Sequence, residues 1–213
     1  EASLHDLIRQ TVREHKRIIF NGNGYDDAWI LEATEKRGLL NFRTTADCMP
    51  HLMDKKNVEM LTSLGVYTEE ELRSRRDIML ENYCKSVTIE AGTMIDMVHK
   101  RIAPAIMRFS ADLAKQLAEK KALFPELACE SETELIVKLS GLTDSITEKT
   151  HELCRAVMSL KDAEDIIAES VLIRDRVIPK MIELRIPCDE AELLTDKSYW
   201  PFPTYGDILF SVK

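Results

Sequence analysis

The stretch Thr68-Glu-Glu-Glu-Leu-Arg-Ser-Arg-Arg-Asp-Ile-Met-Leu-Glu-Asn-Tyr83 decides the fold. Thr68 followed three residues later by Glu71 is a capping box, in which each side chain satisfies a free backbone amide of the other residue. No helix stop follows for about fifty residues. Apolar residues recur instead at Tyr83, Val87, Ala91, Met94, Val98, Ile102, Ala105, Phe109 and Leu113. Their steps of 4, 4 and 3 make an 11-residue period close to the natural pitch of a straight helix. A helix over residues 68–122 would be roughly 80 Å long. Leu80, Cys84, Ile95 and Ile106 give it a second apolar edge, so it needs more than one neighbour. Pro104 lies inside the pattern and predicts a kink, because it removes one amide and crowds the preceding turn.

Downstream, Ser131-Glu-Thr-Glu134 is a second candidate capping box. Leu135, Leu139, Leu142, Ile146, Lys149, Leu153, Ala156 and Leu160 then form a heptad seam with one polar interruption, Lys149. Asp162 is the candidate start of a further helix that turns Ala163, Ile167, Val177, Met181 and Leu184 inward. Pro179 predicts a kink in it and Pro187 its stop. Arg101-Ile-Ala-Pro104 resembles Arg176-Val-Ile-Pro179, a match too short to establish a repeat.

The first third is built of shorter pieces. Leu4, Leu7, Ile8 and Val12 mark one helical face, which is followed by Ile18-Ile-Phe20 and by Asn21-Gly-Asn-Gly24, a turn expected to use positive φ. Asp26 or Asp27 caps a helix through about Arg37, with Gly38 as its stop. Short helices follow over Thr45 to Met53 and over about Lys56 to Leu64. The fold class is therefore mainly α. A turn-rich N-terminal segment of short helices precedes a long-helix antiparallel bundle of about three helices, kinked at Pro104 and Pro179. The expected division is residues 1–67, a bundle over 68–198, and an aromatic docking tail over 199–213 that carries Tyr199, Trp200, Phe202, Tyr205 and Phe210.

Composition narrows the function. The net charge of −8 argues against general nucleic-acid binding, and no run of 18 apolar residues supports a membrane span. Residues 1–122 balance 19 acids with 19 bases, so the excess of acid lies in the second half. Five scattered cysteines without a CxxC pair suit reduced thiols, and five histidines without HxxxH spacing leave only a metal site assembled from distant residues. Gly22-Asn-Gly24 lacks the third glycine of a dinucleotide fingerprint and the GK[ST] of a P-loop, which favours a structural turn over a phosphate loop. Glu69–Glu71 need only the helix dipole, and Arg73, Arg75 and Arg76 have acids at pairing distance. Met94, Met97 and Met107 read as gap-filling core residues. Spacing thus assigns no catalytic, cofactor-binding or metal residue in this chain.

Several stretches together resemble the C-terminal region of type III glutamine synthetase. They are Lys16-Arg-Ile-Ile-Phe-Asn-Gly-Asn-Gly-Tyr25, Lys36-Arg-Gly-Leu-Leu-Asn41, Thr44-Thr-Ala-Asp47, Gly65-Val-Tyr-Thr-Glu-Glu-Glu-Leu-Arg-Ser-Arg75 and Met79-Leu-Glu-Asn-Tyr83. Ile89-Glu-Ala91, Thr93-Met-Ile95, Arg174-Asp-Arg-Val-Ile-Pro179 and Trp200-Pro-Phe-Pro-Thr-Tyr205 complete the set. Tyr67 stands where phenylalanine is usual, Arg76 where tyrosine is expected, and Cys48 where a small apolar residue is common. The resemblance implies a cytoplasmic parent enzyme that joins ammonia to glutamate with ATP and Mg or Mn, through a γ-glutamyl phosphate. It also implies homo-oligomers of stacked hexameric rings, with residues 1 to about 75 completing the catalytic fold and the bundle as an extension. No position here inherits a catalytic role, so the segment alone is expected to be inactive and to serve fold and assembly. Glu1 in place of an initiator methionine suits an excised piece. The alternative is a free-standing helical interaction or regulatory module without catalysis.

Overall fold

Local capping and glycine chemistry set the shorter elements, and burial sets the long ones. A computed structural model of the chain describes residues 2–210, the side chains of Ala2 and Tyr205 excepted. The described residues are helical or irregular, with no strand among them. The chain divides into two compact units, Glu1–Arg43 and Thr44–Lys213.

In the first unit, α1 (Ala2–Glu14) carries Leu4, Leu7, Ile8 and Val12 on one face, and all four are exposed. Asp26 caps α2 (Asp27–Leu31) by accepting from the Ala28 amide at 3.2 Å. The helix widens without a break into a π turn, Glu32–Lys36, and stops at Gly38 with φ +67°. Between α1 and α2 the structure corrects the expectation of positive φ, since neither Gly22 nor Gly24 adopts it. Gly22 is needed for space: a Cβ there would lie 2.3 Å from the Phe20 ring. That ring stacks on Trp29 with centroids 3.9 Å apart.

The second unit opens with α3 (Thr45–Cys48), capped by Thr44, whose hydroxyl accepts from the Asp47 amide at 3.2 Å. The single helix predicted to Met53 is split. Pro50 has no N–H to continue the α pattern, and Pro50–Met53 tightens into a 3₁₀ turn. Next comes α4 (Lys55–Ser63), closed by Gly65 with φ +64°. The capping box at Thr68 is present, with the Thr68 amide donating to Glu71 at 2.8 Å and the Glu71 amide donating to Thr68 at 3.2 Å.

From there α5 (Glu69–Met97), a π turn (Val98–Ile102) and α6 (Ala103–Leu123) run on as one rod. Within the rod Pro104 is accommodated by the wider turn before it, in which the Ala103 amide reaches back five residues to the Val98 carbonyl. The second proline repeats the device. Helix α8 (Ile166–Leu172) passes through a π turn, Ile173–Val177, into α9 (Ile178–Leu194), with Pro179 in its first turn. Between these rods lies α7 (Glu130–Met158). Antiparallel neighbours are joined by Lys120–Glu132 between α6 and α7 at 2.7 Å, and by Lys180–Glu152 at 2.9 Å and Lys149–Glu183 at 3.5 Å between α7 and α9. The core runs through Val98, Ile106, Leu139, Ile146, Leu153, Ile173, Val177 and Leu184.

Four boundary or burial readings are corrected. Ser131 does not cap α7; the helix starts at Glu130 behind Cys129, which turns the chain with φ +49°. Asp162 ends a 3₁₀ turn, and Asp165 caps α8 by accepting from the Ala168 amide at 2.7 Å. Pro187 does not stop α9, because it is itself buried and the helix continues past it to bury Cys188 and Ala191. That burial offsets a cost of about 3 kcal/mol for an interior proline. Met107 is no core residue, being 53 % exposed.

After α9 the chain returns along the bundle. The Tyr199 hydroxyl donates to Asp112 at 2.6 Å, its ring lies 5.2 Å from Phe109, and Trp200 and Phe202 pack against the core. Helix α10 (Tyr205–Leu209) follows, with Phe210 exposed. The Tyr205 ring and residues 211–213 of the predicted tail lie outside the described residues.

Candidate functional site

Three of the stretches singled out in the sequence meet at one place. Arg174, in the π turn before α9, holds Asp175 through both carboxylate oxygens, at 2.7 and 2.8 Å. Its other terminal nitrogen donates to Asp47 at the end of α3, 127 residues away in sequence. Asp47 is fixed from its other side by the Thr44 hydroxyl, which donates at 2.7 Å. The fork geometry of a guanidinium suits this double grip. Tyr83 of α5 stands within electrostatic reach of Arg174, Asp47 and Asp175. Its buried hydroxyl has no hydrogen-bond partner, and burial pushes its pKa up.

The cluster sets one guanidinium against two carboxylates, a net charge of −1. The Thr44 hydroxyl, and after it Arg174, holds Asp47 below the usual carboxylate range, and Arg174 does the same for Asp175. Arg174 is raised in turn, first by Asp175. Such a group offers no nucleophile and no base poised near neutrality. It acts as a clasp that fastens α3 to the third rod of the bundle. A carboxyl with a depressed folded pKa adds stability above its unfolded value of 3.8 and loses it as pH falls through the folded value. Asp47→Asn is therefore expected to lower the melting temperature at neutral pH and to remove part of the decline below about pH 4. Identical acid slopes in melts of wild type and variant would rule out the clasp.

The other sequence candidates are placed as follows. Gly22, Asn23 and Asp26 border a cleft of about 210 Å³ beside Phe20 and Trp29, and the Asn23 side chain accepts from the Tyr25 amide at 3.1 Å, so this is a structural turn. Arg37 covers the stack 5.0 Å from the Trp29 centroid and donates to Glu32 at 2.6 Å. Arg73 pairs with Glu69 at 3.1 Å, Arg76 with Asp77 at 2.8 Å, and Arg75 lies over the Tyr67 ring at 4.6 Å. Met94, Met97 and Met181 line a groove of about 580 Å³ between α5 and α9, with Cys188 in its wall. Burial pushes the Cys188 and Cys84 thiols up to about 11, which keeps both protonated. Among the described residues no three or more of His, Cys, Asp and Glu are gathered as a metal would require. No helix there is long and apolar enough to cross a membrane.

Sequence reasoning missed the Asp47–Arg174 pairing. No local pattern links positions 127 residues apart.

The glutamine synthetase C-terminal domain family model matches residues 3–121, which span the first unit and the second through most of α6. A glutamine synthetase of Butyrivibrio fibrisolvens is 36 % identical over 211 residues, covering 98 % of this chain and 30 % of that protein. A type-3 glutamine synthetase of Dictyostelium discoideum is 27 % identical, covering 99 % of this chain and 29 % of that protein. The corresponding values for a glutamine synthetase of Bacteroides fragilis are 25 %, 99 % and 29 %. This chain thus spans about three-tenths of the length of the curated relatives it matches.

Proposed function

This chain belongs to the glutamine synthetase C-terminal domain family, and on that footing we propose that it is the C-terminal segment of a type III glutamine synthetase. The observation that carries this reading is coverage: nearly the whole chain aligns with proteins named glutamine synthetase while filling less than a third of them. The parent is a cytoplasmic ligase that makes glutamine from glutamate, ammonia and ATP through a γ-glutamyl phosphate, with Mg or Mn, and assembles as stacked hexameric rings. Within it, residues 1–67 complete the catalytic fold, the 68–198 bundle is an extension serving fold and assembly, and 199–213 docks as a tail.

The exposed face of Leu4, Leu7, Ile8 and Val12 on α1 supports this role, because four apolar side chains on one face suit cover by protein upstream. The described residues do not fit the parent's metal. Among them no group of three or more His, Cys, Asp or Glu is gathered to ligate it.

The purified 213-residue chain is expected to form no glutamine from glutamate, ammonia and ATP, whereas a longer polypeptide carrying it does. Turnover that copurifies with this chain would overturn the assignment of the active site to the rest of the parent. A native polypeptide mass several-fold above 24.4 kDa supports the ligase reading. A mass near 24.4 kDa favours the free-standing interaction module.

A further inference from the structure

Helix α9 is apolar on opposite sides. Leu184 and Ala191 are fully buried in the bundle. Ile182, Ile186 and Leu193 fall within about 40° of one another on the far side, at 100° per residue. They are 60 %, 64 % and 86 % exposed. A helix apolar on both faces needs a neighbour on each. The outer stripe borders the methionine-lined groove between α5 and α9, whose wall includes Ile182 and Arg185.

We propose that this outer face of α9 packs, antiparallel and about a two-fold axis, against the same face of a second copy of the chain. Self-complementarity along α9 selects that occupant. Reversing the helix about the midpoint between Pro187 and Cys188 lays Ile182 opposite Leu193 and brings Ile186 to the axis. The same operation sets Arg185 between the heights of the exposed acids Asp189 and Glu192 of the other copy, with Glu192 on its own flank and Asp189 within the stripe, about 20° from Ile182. An isologous contact requires this matching of a surface with its own reverse. Arg185 already donates to Asp189 of its own helix at 3.1 Å, so the second copy extends an ion pair into a network across the axis. Methionines beside the stripe give an adaptable border to such a contact.

The inference deepens the assembly role proposed above and rests on that reading for its setting. Its test reads self-association and not glutamine formation, so either can fail without the other. Sedimentation of the 213-residue chain over a concentration series is expected to give a species of about twice 24.4 kDa. Ile182→Glu with Ile186→Glu is expected to leave the monomer, with the helical circular dichroism kept. Arg185→Glu is expected to weaken the dimer roughly tenfold or more by placing like charges together, and adding Glu192→Arg in the same chain to restore it. A monomeric wild type at every concentration overturns the proposal. So does a dimer indifferent to the isoleucine changes, which would use another face. Failure of Glu192→Arg to rescue overturns the antiparallel register, and this arm stands if the isoleucine variant fails to fold.

Discussion

Leu139→Ala is expected to destabilise the chain by about 2–5 kcal/mol, whereas Val137→Ala on the same helix should stay within about 0.5 kcal/mol. The two residues lie on opposite sides of α7. Leu139 is fully buried in the core shared by all three rods, and Val137 is 66 % exposed. Truncating Leu139 removes transfer energy and leaves a cavity that long packed rods cannot collapse around. The predicted seam ties the two outcomes together, since Leu139, Leu142, Ile146 and Leu153 all reach the core by steps of 3, 4 and 7. For a chain of this size the loss corresponds to a melting shift of roughly 2–4 °C per kcal/mol. Urea unfolding of both variants checks it, and equal effects at the two positions would show that the seam does not organise the bundle.

Much of this fold was legible because its signals are local. Thr68 and Glu71 are three residues apart and satisfy each other whatever surrounds them. Gly38 and Gly65 stop their helices through positive φ, which costs glycine nothing. The boundary errors arose where two local solutions compete. Asp162 and Asp165 both suit a cap, and the burial of Leu160 and Ile173 on either side favours the later start. Ser131 and Glu134 have capping-box spacing, but Cys129 turns the chain first, so Ser131 is already inside the helix.

Prolines reveal what they remove and not how the chain responds. Pro104, Pro179 and Pro187 each cost a backbone hydrogen bond, and sequence alone predicts kinks and a stop. The first two are met by π turns, where the amides of Ala103 and Ile178 reach back five residues. The third is carried by burial of the helix beyond it. These responses depend on neighbours that sequence does not show. The clasp was hidden for a related reason. Asp47 and Arg174 meet only after two rods have been laid side by side, so their pairing is a product of the fold.

Removing Trp200–Lys213 is expected to destabilise the bundle by about 2–4 kcal/mol, somewhat below the usual cost of deleting fully buried aromatic rings. Trp200 and Phe202 are half-buried against the core and meet edge to face with centroids 6.4 Å apart. Pro201 and Pro203 each fix a φ angle in this bent segment, so ordering it costs little entropy and most of the burial survives as stability. One term works against it: the Trp200 indole nitrogen is buried without a hydrogen-bond partner, which lowers the net value of the contact. The exposed end of the tail supplies a control. Leu209 is 68 % exposed, and Leu209→Ser should leave the melt unchanged. The outcome that sinks the argument is a truncated chain melting at the wild-type temperature, for then the rings shield nothing that the bundle needs. A large loss in the truncation beside an unchanged Leu209→Ser places the stabilising contact in the aromatic segment, next to the Tyr199–Asp112 hydrogen bond that fixes where the returning chain crosses α6.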